Sequence, residues 1–507
     1  MAIKVVKQDW EKSLDFIAAP DIQASRNSFE RNALLKMDLL LVPILGLYFF
    51  LSFLDRSNLG NVRIVGLQKD LSMTDFDYSM ALTVTFIPYI LVEPFANLLM
   101  YQIGPSIHIP LLVTIWGLVT CLQGLVTSYH GLLVARFFLG FVEGGLYPAA
   151  VLYLSTFYKG SELQLRIALF YGTICAAGVA SGLLTYAIIN LDGRWGHPGW
   201  AWVFLIEGFA TSMCGVMGFY FLPASIDKIK FLKNAEKNFL VSRLMEVNQA
   251  SSAATAECTE RSTAFQTWAA VKSIHIMILD VAQFAAISNL FGIAYFTPTV
   301  VNTFGYSPTT TQLFTVPPFA VAWIFVVSTS YLSDRYHARG LIASICAMFS
   351  ITGFAIFYAS SHQHVRYGSL FLSIPGAYSV APNMSAWLAD NSAPYKRKAA
   401  ALAFGTMVGN SGGLFSVWIF TLGHKPRYHL PTAVNLAFGV VVILCCGLNT
   451  LWLRHAQKTK VARREEILEK YTLCGTDRAL APGEQDVLTA QAWEDLGDRH
   501  PDYKYVY

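Results

Sequence analysis

Two charged residues, Arg136 and Glu143, lie within a segment (residues 133–154) that is otherwise almost entirely apolar. In the centre of a lipid bilayer an ionised side chain costs roughly 2.5–3.5 kcal/mol on insertion scales, whereas a leucine contributes only about 0.3–0.6 kcal/mol. A buried arginine can bind a carboxylate through parallel hydrogen bonds, and a buried glutamate can take up and release a proton. These two residues are therefore the first candidates for chemistry in the sequence.

The spacing of the pair shows that each charge needs another partner. Seven residues of α-helix turn through about 700°, so Arg136 and Glu143 share one helix face, about 10 Å apart along the axis. That distance excludes a tight direct ion pair. Asp55 and Arg56, near the end of the first apolar run, lie at a comparable depth. We predict that Arg136 pairs with Asp55 in a buried ion network, so that Arg56 can bind a carboxylate and Glu143 can carry a proton in a central cavity.

The chain that must position these side chains is unusually apolar. Hydrophobic residues make up 54% of its 507 residues and charged residues 14%, against about 25% charged in soluble domains. Twelve runs are long enough to cross about 30 Å of hydrocarbon as helices. The runs are 38–57, 79–103, 107–127, 131–157, 166–190, 200–222, 275–299, 311–332, 341–360, 367–390, 399–421 and 431–453. The sequence therefore predicts an all-α membrane protein with twelve transmembrane helices.

The twelve runs divide six and six around a long polar segment. The expected parts are a cytosolic N-tail (1–37), an N-terminal six-helix bundle (38–222), a cytosolic linker with an amphipathic helix (223–274), a C-terminal six-helix bundle (275–454) and a cytosolic C-tail (455–507). Two bundles that move against each other around a site at the membrane midplane are typical of secondary transporters.

The charges indicate an orientation and exclude several functions. Most of the 37 Lys and Arg residues fall on the side of the two tails, which predicts that both termini are cytosolic. The net charge of +4 therefore reflects this bias and does not indicate a nucleic-acid partner. None of the predicted outer loops contains a cysteine, so no disulfide framework is implied. We find no Walker A motif, nucleophile constellation or metal-ligand spacing, and so expect neither an enzyme nor a cofactor or metal site.

The loop between the eighth and ninth runs reads YLSDRYHARG and carries a charge pattern, D-R-x-x-x-R. It consists of Asp334, Arg335 and Arg339. An aspartate at a helix end can bind arginine donors and lock helices together while an inner gate is shut. The matching loop of the first half, MYQIGPSIHIP, lacks these charges. The alternative is that these are ordinary basic residues of a cytosolic loop.

Several segments together resemble the anion:cation symporter family of the major facilitator superfamily, especially its fungal allantoate/nicotinate/pantothenate-permease-like members. These segments are ERNALLKMDLLLVPILGLYFFLSFLDRSNLGN, RFFLGFVEGGLYPAAVLYLSTFY, GWAWVFLIEGF, WLADNSAPYKRKAAALAFGTMVGNSGG and LGDRHPDYKYVY. The resemblance implies the major facilitator fold, with D-R-x-x-x-R at its inner gate. It also implies that the acidic residues of the first and fourth spans, Asp55 and Glu143, take part in proton coupling and that Arg56 binds the anion.

Other polar and aromatic residues are candidates for contact with a ligand. Asn410 could donate a hydrogen bond from the second half or hold two helices together, and Tyr147 and Tyr295 could line the cavity or only pack. Glu93 and Glu207 could serve transport or satisfy backbone groups freed by a nearby kink.

The leading interpretation is a secondary active transporter of a small organic anion, such as a carboxylate-bearing vitamin, nitrogen compound or metabolite. We expect proton-coupled symport by alternating access, carried out by a monomer in the lipid bilayer of the plasma membrane, or alternatively of the vacuole. An exporter of an acidic secondary metabolite and a nutrient receptor that binds without transporting are the alternatives.

Overall fold

The computed structural model describes residues 20–158, 160–243, 268–423, 428–472, 492–493 and 495–507. In this part of the chain the regular structure is helical throughout, without a strand. The six spans of the first half, numbered one to six, are Pro20–Val62, Asp75–Ile103, Pro105–Gln123, Tyr129–Glu143 with Leu146–Ser155, Gly160–Tyr171 with Thr173–Ile188, and Gly199–Phe221. Those of the second half, seven to twelve, are Ile274–Asn302, Pro308–Tyr336, Arg339–Ala359, Gln363–Asp390, Tyr395–Leu422 and His429–Ala462.

The expectation of an all-α protein with twelve spans is confirmed. Nine of the helices described above are long and apolar enough to cross a membrane. The other three, spans two, ten and eleven, have 29, 28 and 28 residues, so they are also long enough to cross a bilayer as helices. The predicted domain boundaries remain predictions, and residues 244–267 of the linker lie outside the described part.

Short polar motifs determine where several spans begin. Thr74 and Asp77 form a capping box at the start of span two, in which each side chain accepts a hydrogen bond from the other residue's backbone N–H. Ser128 caps span four and Ser307 caps span eight in the same position. These caps satisfy backbone donors that would otherwise have no partner at a helix N-terminus.

Span four is broken next to its buried acid. The α-helix ends at Glu143 and resumes at Leu146 after a turn at Gly144 and Gly145. Pro148 has no backbone N–H to continue the hydrogen-bond ladder, which explains the break. A side chain at Gly144 would overlap the backbone carbonyl of Tyr89, so the glycine allows span two to approach closely. Tyr89 and Glu143 are thereby brought to the same region of the fold.

The two halves contact each other at the face opposite to the two tails, where span one ends and span two begins. Gln312 Nε2 donates to the backbone carbonyl of Asn61 at 3.3 Å, and the hydroxyls of Ser79 and Thr421 are hydrogen-bonded. All four residues lie at span ends on this face. The passage between the halves is therefore closed at the opposite face.

At the tail face, a short linker helix (residues 234–243) is held against the first half by ion pairs. Lys36 of span one bonds Glu236 at 2.6 Å, and Arg243 bonds Glu30 at 2.8 Å. The linker therefore begins as a docked element.

The C-terminal segment, residues 495–507, is also docked at the tail face, against the second half. Asp498 and Arg397 form an ion pair in which both side chains are at most 3% exposed. Lys460, at the end of span twelve, donates to the backbone carbonyls of Asp498 and Tyr503, at 3.1 and 2.5 Å. These bonds join the segment to spans eleven and twelve.

The last residues of this segment reach span ten. The indole N–H of Trp387 donates to the carbonyl of Val506 at 2.8 Å, and Asn391 exchanges two hydrogen bonds with the same backbone unit, at 2.9 and 2.8 Å. Tyr503 donates its hydroxyl to the carbonyl of Asp390 at 2.5 Å. The C-terminal segment thus ties together the tail-face ends of three spans.

Replacing Asp498 with asparagine should destabilise the second half. Removing one partner of a buried ion pair costs about 3–5 kcal/mol, because the remaining charge stays buried. The expected result is a thermal unfolding midpoint several degrees lower for the detergent-solubilised protein. The matched control is Asp502→Asn, since Asp502 is half exposed in its pair with Arg464 and should not shift the midpoint measurably. Equal midpoints for the two variants would contradict the prediction.

Candidate functional site

Arg56 and Glu143 form a direct ion pair between spans one and four. Arg56 Nε donates to Glu143 Oε1 at 2.9 Å, and the two side chains are 8% and 1% exposed. Ser52, one turn from Arg56, donates its hydroxyl to the same carboxylate oxygen. Glu143 Oε2 has no hydrogen-bond partner. The carboxylate therefore engages only the Nε edge of Arg56, and the two terminal amino groups of the guanidinium are not used by Glu143.

Three aromatic rings surround the guanidinium of Arg56. Its central carbon lies 5.1 Å from the ring centroid of Phe53, 4.6 Å from that of Tyr89 and 5.6 Å from that of Phe291. Cation–π contacts of this kind are worth about 2 kcal/mol when the cation is desolvated. Phe291 belongs to span seven, so the second half of the protein also holds the cation.

Arg56 lines a narrow cavity between the two halves. Its lining residues are Phe49, Phe53, Arg56, Tyr89, Tyr147, Tyr171, Gln283, Ile287, Leu290, Phe291, Ser385, Thr406 and Asn410. One charged side chain, several aromatic rings and a few uncharged polar groups are the usual composition of a small-molecule site.

Arg136 and Asp55, both of which the structure describes, do not form the predicted ion pair, so that prediction was wrong. Asp55 Oδ2 instead accepts hydrogen bonds from the indole N–H of Trp116 and the hydroxyl of Thr120, both at 2.9 Å. Arg136 is 1% exposed, and its guanidinium carbon lies 5.7 Å from the ring centroid of Phe204. Span three supplies uncharged donors to the carboxylate, which the sequence could not show because it does not tell which helix packs there.

Of the other predicted ligand contacts, the structure places Tyr147 and Asn410 on the cavity wall. Tyr295 lies elsewhere, at the contact between the halves. Its carbonyl oxygen would be 2.6 Å from a Cβ atom at Gly60, and its ring stacks on Phe291 with centroids 5.8 Å apart. Tyr295 therefore supports the wall rather than forming it.

Sequence reasoning missed three polar residues that line the cavity from the second half. They are Gln283, Ser385 and Thr406. Each is a polar residue within a predicted span, but such residues also occur at helix contacts, and only the packing shows which of them face a cavity.

Three further acids are buried in the helices. Both carboxylate oxygens of Glu93 and of Asp280 have no hydrogen-bond partner, and Glu207 is bonded through one oxygen to Asn58. One role considered for Glu93 from the sequence was to hydrogen-bond backbone groups freed by a nearby kink. Its carboxylate oxygens accept no hydrogen bond, so Glu93 does not have this role here. An ionised carboxylate without a partner is costly to bury.

The D-R-x-x-x-R residues form a clamp centred on one arginine. Arg339 bonds the carboxylate of Asp334 at the end of span eight and, through Nε at 3.0 Å, that of Asp390 at the end of span ten. Arg335 is not part of this clamp. It is exposed and donates to the hydroxyl of Tyr331 at 3.0 Å. The motif therefore joins three spans through Arg339 alone.

This geometry predicts unequal effects for the two arginines. Arg339→Gln removes a 5% exposed cation from between two carboxylates, so the tail-face ends of three spans lose their common partner. We expect a severalfold loss of uptake at equal surface abundance. Arg335→Gln should leave uptake near that of the unmodified protein. Equal losses from the two substitutions would show that the motif acts as a whole.

Comparisons with known proteins agree with this architecture. The model of the Major Facilitator Superfamily matches residues 45–417. The chain is 30% identical to the high-affinity nicotinic acid transporter of Saccharomyces cerevisiae, over 96% of this chain and 86% of that protein. It is also 30% identical to the MFS-type transporter cnsO of Penicillium expansum, over 86% and 88% of the two chains.

Solved structures show the same fold at low sequence identity. The xylose transporter XylE from E. coli, in a partially occluded inward open conformation, has a TM-score of 0.62 and 16% identity, over 80% of this chain and 96% of that one. A bacterial homologue of the human lysosomal transporter Spinster, in an inward-facing and occupied conformation, has a TM-score of 0.58, 14% identity and coverage of 81% and 95%. The chain thus belongs to the major facilitator superfamily: it is an integral, multi-pass membrane transporter of two six-helix halves and not an enzyme.

Proposed function

We propose that this transporter carries a small organic anion together with a proton, by alternating access. The observation that carries the proposal is the buried pair of Arg56 and Glu143, in which Arg56 lines the cavity between the halves. One side chain of the pair can bind an anion and the other can bind a proton, and the two side chains are in contact.

The contact couples the two binding events. While Glu143 is ionised it neutralises Arg56, and a substrate carboxylate would add a second negative charge to one guanidinium. Protonation of Glu143 removes that competing charge and frees Arg56 for the substrate. Proton and anion therefore strengthen each other's binding, and by thermodynamic linkage the effect is reciprocal.

Alternating access also requires that the cavity be closed to one side of the membrane at a time, and here it is closed at the face opposite to the tails. The bonds of Asn61 with Gln312 and of Ser79 with Thr421 join the two halves at that face, on the far side from both tails. Breaking them would open the cavity to that side as the halves move. We further propose that both tails are cytosolic, that the protein acts as a monomer, and that it resides in the plasma membrane.

Relatives support a carboxylate as the transported group. The Saccharomyces relative is named as a transporter of nicotinic acid, which is a monocarboxylate. A single cationic side chain on the cavity wall, Arg56, fits an anion with one negative charge.

Uptake by proteoliposomes that contain the purified protein tests the proposal. Labelled monocarboxylates are added with the vesicle interior either more alkaline than the medium or at the same pH. We expect accumulation above the external concentration only with the pH difference, and its loss on addition of a protonophore. Binding without accumulation would indicate a receptor, and accumulation that is independent of the pH difference would exclude proton coupling. Reversing the pH difference tests whether the same site supports export.

A further inference from the structure

We propose that the coupled proton leaves Glu143 through the first half of the protein, over Glu93 of span two and His108 of span three, and reaches the tail face there. The inference rests on the proposed function, because it assumes that Glu143 carries the proton that accompanies the anion. It adds two residues that conduct this proton, and it separates the path of the proton from the path of the anion.

Glu143 needs such a route because it is cut off from the cavity. Its side chain is 1% exposed, and it is not among the described residues that line the cavity, whereas its partner Arg56 is. Oε1 of Glu143 accepts hydrogen bonds from Arg56 and Ser52, and Oε2 is buried without a partner. A proton bound at Oε2 therefore has no direct exit into the cavity.

Glu93 lies where span two packs against the break in span four. A Cβ atom at Gly144 would overlap the backbone carbonyl of Tyr89, and one at Gly145 would be 2.6 Å from the Cβ of Ala96. Glu93 follows Tyr89 by four residues and precedes Ala96 by three, so all three share the helix face that meets the break. Glu93 is thereby placed about 6 Å nearer to the tail face than Tyr89.

His108 reaches the same break from span three. Its Nε2 is 3.9 Å from the position of a Cβ atom at Gly145. The residue is buried, and it lies in the first turn of span three, which begins at the tail face with Pro105. The order from the ion pair to the tail face is therefore Glu143, Glu93 and His108.

Both added residues keep their polar atoms without partners. Neither carboxylate oxygen of Glu93 and neither ring nitrogen of His108 has a hydrogen-bond partner. An unsatisfied buried polar group costs about 1–3 kcal/mol, so such groups need an explanation beyond packing. The buried acid Glu207, by contrast, is bonded to Asn58. Groups that accept a proton and then donate it must keep these atoms free.

Arg56 connects the two acids. It bonds Glu143 at 2.9 Å and also acts electrostatically on Glu93. The other titratable side chains within electrostatic reach of Glu93 are Tyr89 and Tyr147. Among the described residues no charged side chain acts on His108 in this way. Glu143 is therefore the nearby acid from which Glu93 can receive a proton.

The relay moves one proton without a net change in its members. Glu143 gives the proton on Oε2 to the carboxylate of Glu93, directly or through one water molecule. Glu93 passes a proton to Nε2 of His108, and His108 releases the proton of Nδ1 to water at the tail face. Glu143 ends ionised and paired with Arg56, Glu93 ends ionised as it began, and His108 ends neutral as its other tautomer.

The variants Glu93→Gln and His108→Gln test the relay in proteoliposomes, with a labelled monocarboxylate that the unmodified protein accumulates. Each variant should slow uptake driven by a pH difference about 10-fold or more, because the proton leaves Glu143 slowly. A pH-sensitive dye inside the vesicles should show the same slowing of proton release. Counterflow should stay within about threefold of normal, since exchange of anions needs no proton release. The apparent affinity should still rise on acidification, because Glu143 still titrates.

A double variant and two controls separate a relay from general damage. The steps of a relay follow one another, so Glu93→Gln combined with His108→Gln should be no slower than the slower single variant, whereas independent defects would multiply. Two control variants should accumulate the anion normally. They are His130→Gln, at an exposed position where span four begins, and Glu207→Gln, whose side-chain oxygen can still accept from Asn58.

Uptake at the normal rate by both single variants would overturn the relay. Equal losses of uptake and counterflow would overturn it as well, because they would indicate a structural role only. Glu93→Asp keeps a titratable group and should recover most of the uptake. If Glu93→Gln does not fold, His108→Gln with the His130→Gln control decides the question. If the unmodified protein accumulates no organic anion under a pH difference, the proposed function itself fails.

Discussion

Substituting Arg56 with glutamine should reduce anion uptake at least about 100-fold, which corresponds to about 2.7 kcal/mol. The variant loses the cation that binds the carboxylate, and it leaves Glu143, which is 1% exposed, without its ionic partner. Removing one member of a buried ion pair also destabilises the protein, because the remaining charge stays buried without a partner. Arg56→Lys keeps the charge but not the planar fork, so it should recover only part of the activity. Initial uptake rates at equal amounts of reconstituted protein measure the effect.

Two further variants separate binding from folding. In Arg56→Gln combined with Glu143→Gln both charges are removed, so the unpaired carboxylate disappears and stability should return while uptake stays absent. Arg194→Gln removes an exposed arginine in a short helix between spans five and six and should transport normally. Uptake by Arg56→Gln within threefold of the unmodified protein would show that the anion binds elsewhere.

Substituting Glu143 with glutamine should separate exchange from accumulation. Glutamine resembles the protonated glutamate, so Arg56 is freed and the anion still binds and crosses the membrane. No proton leaves with the anion, and the pH difference can no longer drive uptake. We expect counterflow of labelled against unlabelled substrate to remain within severalfold of normal. Accumulation driven by a pH difference should fall to the background of empty vesicles.

The pH profile provides a second reading of the same variant. In the unmodified protein, acidification of the substrate side favours protonated Glu143 and should raise the apparent affinity for the anion. The amide that Glu143→Gln introduces does not titrate, so this dependence should vanish. The exposed Glu465, on the helix after span twelve, is the matched control as Glu465→Gln. Concentrative, pH-dependent uptake by Glu143→Gln would assign the coupled proton to another group, with the unpartnered Glu93 as the next candidate.

Much of the fold could be predicted because each membrane span is a continuous run of residues that its own length and hydrophobicity identify. Length and hydrophobicity define each helix, and Pro148 marks the break after Glu143. Intramembrane charges are rare enough that Arg56, Asp55, Arg136 and Glu143 stand out without any structure. Their identity as a group was therefore predictable.

Which charges meet depends on helix packing, and the sequence does not contain that directly. The prediction paired Arg136 with Asp55 from depth alone, but Trp116 of span three lies against that aspartate. Similarly, Asp498 bonds Arg397 from 101 residues away, and no local pattern announces such a contact. The polar residues of the cavity wall could not be predicted for the same reason. The sequence does not show whether a serine or glutamine in a span faces a neighbouring helix or a cavity.

The docked C-terminal segment has a practical consequence for work on this transporter. Val506 is bonded to Asn391, and the ring of Tyr507 lies 5.6 Å from the guanidinium carbon of Arg454. A bulky group attached at Tyr507 would strain these contacts and loosen the ends of the spans they hold. A reporter attached there needs a flexible spacer, and melting curves of the tagged and untagged proteins should be compared before any kinetic data are interpreted.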